Sequence, residues 1–169
     1  MPSEFIINVT GVAALAMNLR GLVQKSDHSL QKSSAWSSAL WALNSFLLGA
    51  HSAAAMNVVS VGRQAAAASV DASEAKLRAL ACAAFLAATG ILATFTWNGL
   101  TTASTAAASM LATTAMFYLR GARLRVALAA VAALWIYNGI FYEAWWQLTS
   151  TFLSLAMAMF GAWRTRHTW

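Results

Sequence analysis

Two tryptophan–asparagine pairs lie deep inside long apolar runs of this sequence. Trp41 and Asn44 form the first pair, and Trp135 and Asn138 form the second. Residues three apart share one face of a helix, so each pair would present an indole and a carboxamide together. A carboxamide at membrane depth is costly unless it meets a partner, so such a residue is either an interhelical link or part of a binding site. Both pairs are therefore candidates for a site.

The composition predicts an all-α membrane protein. Hydrophobic residues make up 60% of the 169 and charged residues 9%, whereas soluble globular proteins carry about 25% charged residues. Most of the chain divides into apolar runs of roughly 16–22 residues, the length of a bilayer-spanning helix. We expect one domain, 1–169, with seven transmembrane helices at about 5–22, 34–48, 51–68, 77–97, 101–119, 126–142 and 145–163. Polar loops are expected at 24–32 and 120–125.

The basic residues predict how the chain is oriented in the membrane. With the N-terminus outside and seven spans, all 11 Lys and Arg residues fall in segments on the inner side. The outer segments contain Glu4 and Glu143 instead. Because Lys and Arg bias loops toward the cytoplasm, we expect a multi-pass protein with a cytoplasmic C-terminus.

Matching markers in the two halves predict an internal repeat. The two Trp-x-x-Asn pairs fall in the second and sixth spans, and Leu-Arg-Gly closes both the first span at 19–21 and the fifth at 119–121. Arg63 and Arg164 end the third and seventh spans. We therefore expect a 3+1+3 arrangement of parallel repeats, with units at 1–70 and 101–169 joined by a linker helix at 77–97.

The chain resembles the YgjV family of bacterial inner membrane proteins. The resemblance is carried by residues 43–57, by Arg63, and by the stretch from Trp135 to Arg164. The 3+1+3 plan is in turn similar to that of SWEET sugar facilitators and PnuC-type vitamin transporters. These resemblances imply a location in the bacterial inner membrane and a role in moving a small solute.

The likeness to SWEETs also implies particular site residues. In SWEETs a Trp on the second helix and an Asn on the third helix of each repeat line the solute site. Trp41 and Asn57 match the first such pair, and Trp135 matches the second Trp. The second Asn is replaced, with Ser150 or Thr151 nearest. SWEET helices also contain hinge prolines, whereas this chain has only Pro2.

The predicted substrate-binding residues are Trp41, Asn44, Asn57, Trp135, Asn138 and Thr151. Aromatic surfaces together with amide groups suit a small neutral polar solute such as a sugar or a vitamin-like metabolite. The competing interpretation is structural, with Trp side chains packed between helices and Asn side chains bonded across them. It corresponds to a non-transporting binding or scaffold protein. Asn18 is expected to be only a helix-end residue.

Several other functions are disfavoured by the sequence. Asp and Glu are missing from the middle of every span, so we expect facilitated diffusion rather than proton coupling. A nucleophile–base pair, a phosphate loop and a metal-ligand cluster are also missing, so neither an enzyme nor a cofactor or metal is expected. Basic residues at the ends of spans favour membrane over nucleic acid. The expected partners are the lipid bilayer and the solute, and an oligomer is left open.

Overall fold

A computed structural model describes residues 4–24, 26–70 and 73–164. Within these ranges the chain forms seven α-helices and no strand. Each helix has 19–21 residues and is therefore about 30 Å long, close to the thickness of the hydrocarbon core of a bilayer. The helices are α1 (Glu4–Leu22), α2 (Asp27–Leu47), α3 (His51–Ser69), α4 (Ala75–Phe95), α5 (Leu100–Tyr118), α6 (Gly121–Phe141) and α7 (Trp145–Arg164). By length and composition, α1, α4 and α6 are apolar enough to cross a membrane.

The loops expected at 24–32 and 120–125 are mostly helical, because α2 begins at Asp27 and α6 at Gly121. The Asp27 carboxylate explains why both helices extend this far. It accepts a hydrogen bond from the Gly121 amide at 3.1 Å and pairs with the Arg125 guanidinium at 3.1 Å. A carboxylate in the first turn of a helix is also favoured by the helix dipole. A span predicted from hydropathy ends at the first charged residue, whereas the helical backbone continues beyond it.

The α2–α3 and α6–α7 turns share one backbone geometry. Gly49 has φ 76° and Glu143 has φ 51°, and these two residues are 94 positions apart. The next amide in each turn donates to a carbonyl five residues back, from Ala50 to Ser45 and from Ala144 to Gly139, both at 2.9 Å. This is the Schellman motif that ends many helices. The two halves therefore have the same turn at the same spacing.

Six helices form two groups of three. In the first group α2 packs against α1 and α3, and in the second α6 packs against α5 and α7. The groups meet where α1 contacts α7 and where α3 contacts α5, while α4 packs against α3 and α5. Short connections make successive helices antiparallel. The end that carries the α1–α2, α3–α4 and α5–α6 connections is called the basic end here, because Lys and Arg residues cluster near it.

Large apolar side chains lie mainly on the outside of the bundle. Phe5, Phe46 and Phe95 are 60–81% exposed. The interior contains many small and polar residues instead, including Thr105 and Asn138, which are fully buried. Small residues let helices approach closely, and an apolar exterior suits contact with lipid. The polar interior is therefore where a functional site can form.

Candidate functional site

A cavity of about 160 Å³ lies between α1, α2, α3, α5, α6 and α7. A cavity of this size accommodates a molecule about as large as one six-membered ring. Its walls differ in character. The side chains from α3 and α7 are all polar, whereas those from α5 and α6 are apolar or aromatic. A bound molecule would therefore meet polar groups on one side and an apolar surface on the other.

The residues that line the cavity are related by a constant spacing. Sixteen of the twenty form eight pairs whose members are 94 positions apart. The pairs are Asn18 with Ala112, Leu22 with Met116, Ser34 with Leu128, Ser37 with Val131, Ser38 with Ala132, Trp41 with Trp135, Asn57 with Thr151, and Ser60 with Ser154. The Leu-Arg-Gly triplets used as markers in the sequence are 100 positions apart, so they do not follow this register.

Four of the six predicted site residues line this cavity, namely Trp41, Trp135, Asn57 and Thr151. Trp41 is buried, and Trp135 is half-buried beside a small cluster that includes Met56. Thr151 donates its hydroxyl to the Gln147 carbonyl of its own helix at 2.8 Å. The two indoles and the Asn57 carboxamide thus share one cavity, while their role in binding a solute stays a prediction.

The other two predicted site residues, Asn44 and Asn138, do not line the cavity. The Asn44 Nδ2 donates to the Ile7 carbonyl at 2.8 Å and to the Thr10 hydroxyl at 3.0 Å, so it links α2 to α1. Asn138 is fully buried, and neither polar atom of its carboxamide has a hydrogen-bond partner within the described residues. Asn44 and Asn138, which are 94 positions apart, therefore have different surroundings.

Arg63 is a cavity residue that the sequence indicated only as a helix-end marker. Its side chain is 3% exposed. Nη1 donates to the Ser109 carbonyl at 2.8 Å and contacts the Ser109 and Thr113 hydroxyls at 3.2 Å. Nη2 donates to the Ser60 hydroxyl at 2.8 Å. The sequence signal that could have found it is that Arg63 lies six residues before the last residue of its helix, just before the alanine run 65–68.

No carboxylate pairs with Arg63 in the part of the chain that the structure describes. The ion pair present there joins Asp27 to Arg125, at the basic end. Arginines at membrane depth are rare; they face an interior or a water-filled cavity, and they often mark the path of a substrate or ion. Arg63 is therefore the strongest electrostatic feature of the cavity.

Asn18 was expected to be a helix-end residue, but it forms part of the cavity wall. Its Nδ2 donates to the Ser150 hydroxyl at 2.9 Å and to the Ser154 hydroxyl at 2.6 Å. These bonds join α1 to α7, just as Arg63 joins α3 to α5. The two places where the three-helix groups meet are thus each bridged by a polar side chain of the cavity. Within the described residues, His, Cys, Asp and Glu form no group of three that could hold a metal ion.

A bundle of membrane-length helices with an apolar exterior and a polar interior cavity defines an integral membrane protein. The chain matches the Imp-YgjV family, described as bacterial inner membrane protein, over residues 5–168. It belongs to this family. No curated protein and no solved structure shows a match to the chain.

Proposed function

We propose that this protein is a facilitator that passes a small polar solute across the bacterial inner membrane by alternating access. The observation that carries the proposal is the cavity itself, which is lined by residues of six helices, most of them in pairs at a spacing of 94 positions. Solute sites of transporters built from repeats typically lie at the interface between the repeats. A closely packed seam of Trp and Asn side chains would have favoured a scaffold instead.

In this proposal the protein has a 3+1+3 plan, with α1–α3 and α5–α7 as parallel repeats and α4 as the linker. The pattern of helix contacts supports it. At a spacing of 94 positions, α1 corresponds to α5 and α3 corresponds to α7. The contact between α1 and α7 therefore corresponds to the contact between α5 and α3, as expected for two units related by a twofold axis. An N-terminus outside and a C-terminus in the cytoplasm would place the basic end at the inner surface.

The two bridged contacts between the three-helix units are the places where the units would move. Rocking of one unit against the other would have to change the Asn18 bonds between α1 and α7 and the Arg63 bonds between α3 and α5. Within the described residues no carboxylate or histidine lines the cavity. Proton-coupled carriers generally keep such a group in the membrane, so the proposed transport is facilitated diffusion. The described lining also lacks a base for its serine hydroxyls, so the proposed role is not enzymatic.

Reconstitution of the purified protein in liposomes tests the proposal. The liposomes are exposed to a ¹³C-labelled bacterial metabolite extract, and mass spectrometry identifies the solutes that enter. We expect selective entry of one or a few small polar solutes. Trp41→Ala and Asn57→Ala should abolish it while the proteins remain folded, because both side chains line the cavity.

Trp36→Ala is the matched control. Trp36 lies on the same helix as Trp41, but it is 70% exposed on the outside of the bundle. Its replacement should leave uptake unchanged. If the parent protein admits no labelled solute above protein-free liposomes, the transport proposal is wrong. Uptake that survives both cavity substitutions would instead place the solute path elsewhere.

A further inference from the structure

We infer that the cavity binds the carboxylate of a small monocarboxylic acid, and that Arg63 is the residue that holds it. This inference rests on the proposed function and specifies its substrate class, replacing the neutral solute expected from the sequence. It starts from a charge without a partner. Arg63 is 3% exposed, lines the cavity, and has no ion-pair partner within the described residues.

Among the described residues, the Nε side of the Arg63 guanidinium is short of hydrogen-bond acceptors, and the Nε atom itself is buried. A guanidinium has five N–H donors, one on Nε and two on each terminal nitrogen. Nη1 has three acceptors nearby, whereas among the described residues Nη2 has only the Ser60 hydroxyl and Nε has none. Nε and Nη2 form one edge of the planar group, and two parallel N–H donors on one edge match the two oxygens of a carboxylate.

The surroundings of Arg63 favour an anion over a neutral molecule. Its hydrogen bonds within the described residues are to neutral carbonyl and hydroxyl groups, so its positive charge remains uncompensated there. A buried charge is costly unless an opposite charge and hydrogen bonds accompany it. A neutral solute would leave that cost in place, whereas a carboxylate would offset part of it.

The rest of the cavity limits what the carboxylate is attached to. The α5 and α6 wall is apolar, with Met116, Leu128 and Trp135 among its residues. The volume of about 160 Å³ suits a body of about one ring or a short branched chain. Asn57, on the same helix as Arg63, has no hydrogen bond from its carboxamide to another described residue, so it is available for a second polar group.

Matched pairs of acids and amides test the inference without knowledge of the natural solute. Equilibrium dialysis of the purified parent protein measures binding of radiolabelled benzoate. Benzamide, isobutyrate and isobutyramide are the competitors. Each amide has the shape of its acid but lacks the charge. We expect each acid to bind at least about tenfold more tightly than its amide, in line with a hydrogen-bonded charge pair. Equal affinity, or no binding of either acid, would overturn the inference.

Variants at Arg63 then assign the effect to this side chain. Arg63→Gln should weaken benzoate binding at least about tenfold and remove the preference for acids. Arg20→Gln is the control, since it removes the same charge from an exposed position near the end of α1. If Arg63→Gln does not fold, Arg63→Lys replaces it, because Lys keeps the charge but cannot make the two-point contact. Unchanged benzoate binding in a folded Arg63 variant would overturn the assignment.

The same preparations separate failure of this inference from failure of the proposed function. Acid-selective binding without entry of any labelled metabolite would leave the carboxylate site standing and reject transport. Selective entry of neutral metabolites, with no preference for acids in dialysis, would leave transport standing and reject the carboxylate site.

Discussion

The Arg63 guanidinium donates a 2.8 Å hydrogen bond to the main-chain carbonyl of Ser109, and this bond ties α3 to α5 at the cavity wall. The same carbonyl also accepts a hydrogen bond from the Thr113 hydroxyl at 2.8 Å. A charged side chain thus contributes both to the packing of the two three-helix groups and to the electrostatics of the space between them. Stability and solute binding are expected to be coupled at this residue.

Ser60→Ala should destabilise the protein because, among the described residues, it removes the only acceptor of Arg63 Nη2. Hydrogen bonds to charged groups contribute about 1.5–3 kcal/mol, so we expect a loss of that order in unfolding experiments in detergent. Ser69→Ala is a matched control on the same helix. Both serines donate to the carbonyl four residues back at 2.9 Å, but Ser69 is exposed and does not contact Arg63. Equal effects of the two substitutions would contradict the prediction.

Asn44→Leu and Asn138→Leu should have different effects although the two residues occupy equivalent positions of the proposed repeat. Asn44→Leu removes two interhelical hydrogen bonds, each contributing about 0.6 kcal/mol in membrane proteins. Asn138→Leu replaces a buried carboxamide without hydrogen-bond partners in the described residues, so stability should be unchanged or higher. Thermal unfolding of both variants beside the parent measures the difference. A larger loss of stability for Asn138→Leu than for Asn44→Leu would contradict the prediction, because it would mean that the Asn138 carboxamide has hydrogen-bond partners in the membrane.

Gly11→Ala should loosen the contact between α1 and α7. A Cβ atom on Gly11 would lie 2.7 Å from Cγ of Trp146, so the indole would have to move. That movement would also disturb the 2.8 Å bond from Trp146 Nε1 to Asn8 Oδ1. Overpacking of this kind typically costs about 1–3 kcal/mol.

Gly90→Ala is the control for this overpacking. Gly90 lies within α4, and a Cβ atom added there would meet no heavy atom of a neighbouring element within 4 Å in the described structure. Alanine is the better helix former, so this variant should be as stable as the parent or up to about 1 kcal/mol more stable. The prediction fails if Gly11→Ala unfolds at the same temperature as Gly90→Ala.

The proposed orientation predicts which turns are accessible from outside the cell. Glu143 is exposed in the α6–α7 turn, and Arg123 is exposed near the start of α6 at the basic end. In intact spheroplasts Glu143→Cys should react with a membrane-impermeant thiol reagent, whereas Arg123→Cys should react only after lysis. The native Cys82 is buried and should contribute little background. The reverse labelling pattern would invert the topology.

Uptake of a solute that does not permeate protein-free liposomes should not depend on a proton gradient, since no carboxylate lines the cavity within the described residues. Proteoliposomes with an imposed pH difference should equilibrate the solute to the same final level as those without one. Accumulation above the external concentration, abolished by a protonophore, would show coupling that this lining does not explain.

Local signals in the sequence anticipated several features of the site. Trp41 and Trp135 were singled out because each shares a helix face with an asparagine deep inside an apolar run, and both line the cavity. Asn57 and Thr151 were reached through the resemblance to SWEETs, and they too line it. The Asn44 and Asn138 carboxamides were grouped with them because they share a helix face with the Trp residues. Spacing along a helix predicts the face but not what packs against it.

The sequence by itself determined the class of protein and the approximate spans of its helices, since hydropathy and helix length are sums over neighbouring residues. Only the tertiary structure decided which polar side chains meet. The Asn44 carboxamide has hydrogen-bond partners on α1, while the Asn138 carboxamide has none among the described residues. Arg63, expected only as a helix-end marker, bonds to Ser109 of α5, 46 positions along the chain. Such contacts depend on side chains brought together from distant segments, and no local pattern contains that information.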